Sequence, residues 1–111
     1  MTGTRACSLD DLWEGEMREV AVAGRRVLVV HAEGGHLSAF SALCPHQAFP
    51  LVNGMLEGGV LTCSAHLWQF DATTGMGINP TGCNLRRYAV SEQNGEVFVD
   101  LAAPTATRTE S

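Results

Sequence analysis

Apolar and polar residues alternate at both ends of this chain with the two-residue period of β-strands. The pattern predicts five strands, over residues 18–23, 25–31, 36–42, 85–90 and 96–101. Gly24 marks a turn between the first two strands, and Asn94-Gly95 predicts a tight turn between the last two. Ser8 is placed to cap a single helical turn that ends near Trp13, whose side chain is expected in the core. The pattern is that of an all-β protein.

The middle of the chain, about residues 43–84, has a different pattern. Short apolar pieces are interrupted by prolines and glycines throughout. This segment is predicted to form loops around a bound group, and we expect it to depend on that group for its order. The last ten residues, about 102–111, are polar and are predicted to fray.

Composition restricts the classes of protein that fit. The chain has 111 residues, 45% of them apolar, which is enough for one domain with its own core. Its net charge of -5, with no lysine, argues against nucleic-acid binding. The start lacks the apolar stretch of a signal peptide, and the purest apolar run, 27–30, is too short to span a bilayer. A cytoplasmic protein without membrane contact is expected, and there a metal site is a better explanation of four cysteines than disulfides are.

Two short motifs carry the candidate chemistry, Cys44-Pro45-His46 and Cys63-Ser64-Ala65-His66. Each offers one thiolate and one imidazole, and a Rieske-type [2Fe-2S] cluster needs two of each. A tetrahedral zinc site can also use two cysteines and two histidines, but its paired ligands are usually two to four residues apart. Four unrelated buried residues are the remaining alternative. Cys7 and Cys83 are expected to be small buried apolar residues rather than ligands.

At these motifs the sequence resembles the Rieske ferredoxins. The runs that carry the resemblance are 44–47, 58–63 and 66–70, and with 77–80 and Cys83 they most resemble the ferredoxin of toluene and related aromatic monooxygenase systems. The resemblance implies a single domain over residues 1–111. Its fold would be an antiparallel β sandwich, with a small cluster-binding subdomain inserted at about 43–84.

The resemblance also implies a ligand set and a role. Cys44 and Cys63 would bind the inner iron of one [2Fe-2S] cluster, and His46 and His66 the outer iron, which is the one reduced. The chain would be a monomeric electron carrier and not itself an enzyme. It would take single electrons from an NADH-dependent flavin reductase and deliver them to a diiron hydroxylase, with both partners docking transiently near His46 and His66.

Two alternatives stay open at this point. The first is the ferredoxin of a Rieske ring-hydroxylating dioxygenase, although those proteins more often have glycine after the second histidine than Leu67-Trp68. The second, from a different class, is a zinc-stabilised interaction module without redox function. A further departure concerns the respiratory Rieske proteins, which carry a serine and a tyrosine where this chain has Trp68 and Phe70. Fewer hydroxyl donors predict a potential toward the low end of the range of about -150 to +300 mV.

Overall fold

Ten short strands make up more than half of the described residues. The computed structural model describes residues 3–32, 34–43, 50–64, 67–79 and 83–101. The strands are β1 (Thr4–Ser8), β2 (Glu16–Val22), β3 (Arg25–His31), β4 (Leu37–Ser41), β5 (Met55–Glu57), β6 (Val60–Thr62), β7 (Gln69–Asp71), β8 (Gly77–Asn79), β9 (Arg87–Gln93) and β10 (Glu96–Asp100). Two 3-10 helices, Leu9–Asp11 and Leu51–Asn53, complete the secondary structure of the described residues.

Six of the strands form one antiparallel sheet in the order β1-β10-β9-β4-β3-β2. Its two edge strands, β1 and β2, approach each other, so the sheet curls toward a barrel. The β2–β3 and β9–β10 hairpins turn through Ala23-Gly24 and Asn94-Gly95, and all four residues have positive φ. That conformation belongs to the type I′ turn, whose twist matches the twist of the strands. The prediction of an all-β antiparallel fold is confirmed.

The other four strands form a small antiparallel sheet in the order β5-β6-β7-β8. It lies entirely between β4 and β9 in the sequence, within the segment predicted to be loops. That prediction was wrong in part, because each of these strands has only three residues and leaves too short a pattern to detect. The chain leaves and re-enters the large sheet at neighbouring points, since Phe40 pairs with Arg87 and the Ser41 amide donates to the Arg86 carbonyl at 2.9 Å.

A shared core joins the two sheets. Its buried members from the large sheet and its flanks are Leu28, Val30, Phe40, Ala42 and Leu85, and those from the inserted segment are Leu51, Leu61, Cys63, Phe70 and Ala72. A second core lies within the large sheet, around Val27, Val29 and Tyr88. The inserted segment therefore has a substantial apolar anchor. The premise that this segment has few apolar residues to order it was wrong, whereas its dependence on a bound group stays a prediction.

The N-terminal region differs from its prediction in two ways. Ser8 does cap a short helix, its hydroxyl accepting from the Asp10 amide at 3.2 Å, but residues 4–8 form an unpredicted edge strand. Trp13 is 70% exposed rather than in the core, with its indole N–H donating to the Asp10 carbonyl at 3.1 Å. Cys7 is buried as expected, whereas Cys83 is only half-buried. No described helix is long and apolar enough to cross a membrane.

Candidate metal centre

One of the four predicted ligands, Cys63, lies within the described residues. The other three, Cys44, His46 and His66, fall outside them. Cys63 follows β6 directly and is 1% exposed, in the core shared by the two sheets. In the described part of the chain no three His, Cys, Asp or Glu residues lie close enough to hold a metal. Cys63 is therefore the one predicted ligand whose position the described residues give.

The loop that begins at Cys63 is closed by two backbone hydrogen bonds. The Cys63 amide donates to the Trp68 carbonyl at 2.8 Å, and the Leu67 amide donates to the Cys63 carbonyl at 3.0 Å. Closing so tight a turn places Leu67 at φ 59°, in the left-handed region. The ends of the loop that contains His66 are thus fixed on the small sheet.

The loop that contains Cys44 and His46 is closed at its base in a similar way. Leu43 and Pro50 form an isolated antiparallel bridge, and the Leu51 amide donates to the Ala42 carbonyl at 2.9 Å. Ala42 and Leu51 are fully buried in the same core as Cys63. Both predicted ligand loops therefore start from one packed base.

A cleft of about 220 Å³ opens beside Cys63. Its described lining is Asn53, Gly54, Met55, Thr62, Cys63, Ser64 and Leu67. Gly54 packs against the end of β6, where a Cβ added at this position would lie 1.9 Å from the Thr62 carbonyl oxygen. Only glycine fits there without moving the residue that precedes Cys63. No sequence pattern distinguishes this glycine from the other eleven as the support of a ligand loop.

The stretch of chain that contains the predicted ligands carries almost no charge. Between residues 41 and 70 the only Asp, Glu, Lys or Arg is Glu57. Glu57 is the last residue of β5, and Met55 is the first. The next acidic residue, Asp71, accepts from the Thr73 amide at 2.8 Å and from its hydroxyl at 2.7 Å. These bonds hold the pKa of Asp71 below its ordinary value, so that side chain is ionised at neutral pH.

Trp68 and Phe70 both adjoin the core around Cys63. Leu61 pairs with Phe70 across β6 and β7, and Cys63, two residues beyond Leu61, shares their face of the sheet. Phe70 is fully buried, whereas Trp68 is half-buried and packs against the same core. Neither side chain carries a hydroxyl that could donate to a sulfur atom.

Cys7 lies in a different core from Cys63, and Cys83 belongs to neither core. Cys7 belongs to the separate core within the large sheet, and burial raises the pKa of its thiol, which stays neutral. Cys83 is half-buried, three residues before Arg86 at the return to the large sheet. The described structure gives neither cysteine a place in a ligand set.

Comparison with known proteins points to the same family that the sequence motifs resemble. Residues 3–89 match the family described as "Rieske [2Fe-2S] domain". The chain is 44% identical over 94 residues to the ferredoxin component of the alkene monooxygenase system of Xanthobacter autotrophicus strain Py2, covering 84% of this chain and 76% of that protein.

Two solved structures have the same fold. The ferredoxin of carbazole 1,9a-dioxygenase from Nocardioides aromaticivorans IC177 superposes with a TM-score of 0.80 at 30% identity, covering 90% of this chain and 98% of that one. A chain in a complex of reduced oxygenase and oxidized ferredoxin in carbazole 1,9a-dioxygenase superposes with a TM-score of 0.77 at 30% identity, covering 86% and 90%.

Proposed function

We propose that this chain, which belongs to the Rieske [2Fe-2S] domain family, is the ferredoxin of a multicomponent alkene or aromatic monooxygenase. In that role it carries single electrons from an NADH-dependent flavin reductase to a diiron hydroxylase and performs no substrate chemistry. Both partners dock transiently near His46 and His66. The comparison structure that pairs an oxygenase with a ferredoxin supports such an encounter.

The proposed ligands are Cys44 and Cys63 for one iron and His46 and His66 for the other. Two thiolates and two imidazoles are the donor set of a Rieske cluster, and the cluster supplies one-electron redox chemistry when it is bound. The single observation that carries the proposal is the packed base common to both loops. Ala42 and Leu51, which flank the first loop, are buried together with Cys63, which begins the second.

The chain's own residues tune such a centre toward low potential. Phe70 and Trp68 offer no hydroxyl donors, and the stretch around Cys63 contributes no positive charge. A nonpolar, low-dielectric surrounding disfavours the added negative charge of the reduced state. We therefore propose a potential toward the low end of the Rieske range of about -150 to +300 mV.

The choice of a monooxygenase partner rests on two observations. Identity is higher to the alkene monooxygenase ferredoxin, at 44%, than to the carbazole dioxygenase ferredoxin, at 30%. In addition, the sequence resemblance puts Leu67, at φ 59°, at a position where dioxygenase ferredoxins more often have glycine.

Spectroscopy on ligand variants tests the ligand set. The purified protein should be coloured, whereas a zinc module would be colourless. His46→Ala and His66→Ala should each abolish the Rieske absorption and its iron and sulfide content, because imidazole and thiolate sites are not interchangeable. Cys7→Ala and Cys83→Ala are the matched controls and should retain both. Loss of iron in Cys83→Ala with a normal spectrum in His66→Ala would show that the ligand assignment is wrong.

Reconstitution tests the partner. Reduced protein is mixed with purified oxygenase components from a diiron monooxygenase and from a Rieske dioxygenase, and product formation is measured. Turnover with the monooxygenase is expected. Turnover with the dioxygenase alone would favour the alternative.

A further inference from the structure

The chain contains two Asn-Gly pairs, Asn53-Gly54 and Asn94-Gly95. Both asparagines are exposed. Asparagine is among the residue types that limit the chemical lifetime of a protein. A following glycine has no side chain to hinder the backbone rotation that brings its nitrogen to the asparagine amide. Each pair is therefore a candidate for deamidation, and the two pairs have different surroundings in the structure.

Deamidation depends on the backbone N–H of the glycine. The glycine nitrogen loses its proton and attacks the side-chain carbonyl carbon of the asparagine, so that a new C–N bond closes a five-membered imide. The side-chain nitrogen takes up a proton and leaves as ammonia. Water then opens the imide at either of its carbonyl carbons and leaves aspartate or isoaspartate. Water is the only other reactant, so a group that holds the glycine N–H in place slows the reaction.

At Asn94 the glycine N–H is held by an acidic side chain. The Gly95 amide donates to Glu92 Oε2 at 2.7 Å, which is the length of a charge-assisted hydrogen bond. That bond stabilises the protonated amide, which is the unreactive form. The negative charge of the carboxylate also opposes the formation of a second negative charge on the nitrogen. Both effects make the Gly95 nitrogen a poorer nucleophile.

At Asn53 the glycine N–H is held by the backbone instead. The Gly54 amide donates to the Leu51 carbonyl at 2.9 Å, and Leu51 is fully buried. Gly54 also packs against the Thr62 carbonyl, so it cannot rotate toward the Asn53 side chain without displacing the end of β6. The protection at Asn94 depends on one exposed side chain, which can exchange its hydrogen bond with water. In the folded protein the pair at Asn94 is therefore the more reactive one.

We propose that Asn94 is a deamidation site of the folded protein and that the Glu92 carboxylate slows this reaction by holding the Gly95 N–H. The site lies in the large sheet, outside the segment of the predicted ligands, and its chemistry does not rest on the proposed function. Isoaspartate at position 94 lengthens the backbone by one carbon atom within the tight β9–β10 turn. The Gly95 carbonyl accepts from the Leu9 amide at 2.8 Å, so the change also loosens the contact between this turn and the first 3-10 helix.

The test follows both asparagines in the full-length, cluster-loaded protein during incubation at mildly alkaline pH. Peptide mass spectrometry measures the small mass increase that accompanies replacement of the amide nitrogen by oxygen, and enzymatic methylation detects isoaspartate. Glu92→Ala removes the acceptor of the Gly95 N–H, whereas Glu92→Gln keeps an acceptor without the charge. Glu96→Ala is the matched control, because it removes a carboxylate beside the same turn that pairs with Arg5 at 2.9 Å.

In the wild type we expect Asn94 to convert first, while Asn53 stays largely unmodified. Glu92→Ala should accelerate conversion at Asn94 about tenfold, the equivalent in rate of one hydrogen bond to a charged group. Glu92→Gln should stay closer to the wild type than to Glu92→Ala, and Glu96→Ala should match the wild type. Iron content and the visible spectrum should not change as Asn94 converts, because the turn lies outside the segment of the predicted ligands.

Faster conversion at Asn53 than at Asn94 in the wild type would overturn the assignment of the site. Equal rates at Asn94 in the wild type and in Glu92→Ala would overturn the role of Glu92. If Glu96→Ala accelerated the reaction as much as Glu92→Ala, the loss of a nearby charge would explain the effect, and the hydrogen bond to Gly95 would not. Absence of conversion at Asn94 in both the wild type and Glu92→Ala would overturn the whole proposal.

Discussion

Replacing Gly54 by alanine should disturb the metal centre without touching a ligand. The added Cβ would lie 1.9 Å from the Thr62 carbonyl oxygen and 3.2 Å from that of Leu51. Ordinary contact begins at 3.4 Å, so Gly54 and Thr62 must separate by about 1.5 Å. Both obstacles are backbone atoms, which cannot rotate away as a flexible side chain could.

The displacement is transmitted to Cys63, because Thr62 immediately precedes it. Metal–ligand distances vary by only about ±0.2 Å in good sites, so even half of the required movement exceeds that tolerance severalfold. Overpacking alone costs about 1–3 kcal/mol of folding free energy. We therefore expect Gly54→Ala to lose most of its iron and sulfide and to unfold at a lower temperature.

Iron and sulfide per chain, visible circular dichroism and the thermal midpoint measure these effects. Gly24→Ala is the control, because φ at Gly24 is +83° but a Cβ there would meet nothing within 4 Å. That variant should lower the thermal midpoint through backbone strain alone and keep a full cluster. A Gly54→Ala protein with full iron content and an unaltered spectrum would refute the link from Gly54 through Thr62 to Cys63.

Two further predictions concern the interior around Cys63. Phe70→Tyr should raise the reduction potential by at most about 60–130 mV, the equivalent of one hydrogen bond to a charged group, if the new hydroxyl reaches the centre. If voltammetry shows no rise, the buried hydroxyl lacks a partner there, and position 70 does not tune the potential. In protein stripped of iron, hydrogen exchange should accelerate at the Leu67 and Cys63 amides while the Phe70 and Leu61 amides keep much of their protection. Uniform loss across β5–β8 would contradict the anchoring role assigned to the shared core.

The large sheet was largely predictable because its signals are local. Residues 25–31 carry an apolar run that suits a strand buried in a sheet, and Asn94-Gly95 has a strong preference for the turn it forms. The small sheet was not predictable in the same way. Three-residue strands such as β6 are too short to show a two-residue period, so no local pattern reports their pairing.

The metal centre, like the fold, was predictable from the sequence only in part. The Cys and His pairs predicted a Rieske cluster, which the family match confirms, because donor type is a property of the residues themselves; the ligand assignment itself stays a prediction. Gly54 and Leu67 could not be found this way. The role of Gly54 depends on a carbonyl eight residues away, and the positive φ of Leu67 is set by the closure of its turn rather than by any preference of leucine. Trp13 was misassigned because a large apolar side chain usually predicts burial, whereas this one lies on the surface.

The inserted segment leaves the large sheet and returns to it at neighbouring points. This arrangement affects how easily the sequence and length of the segment can change in evolution. Because Phe40 pairs with Arg87, the large sheet is completed whatever the length of chain between them. Each doubling of a loop's length costs only about 0.6 kcal/mol in closure entropy. Loops in this segment can therefore lengthen, shorten or change sequence at small thermodynamic cost, provided that Leu61 and Phe70 still fill the shared core. One platform can in this way present different recognition surfaces while the supporting sheet stays the same.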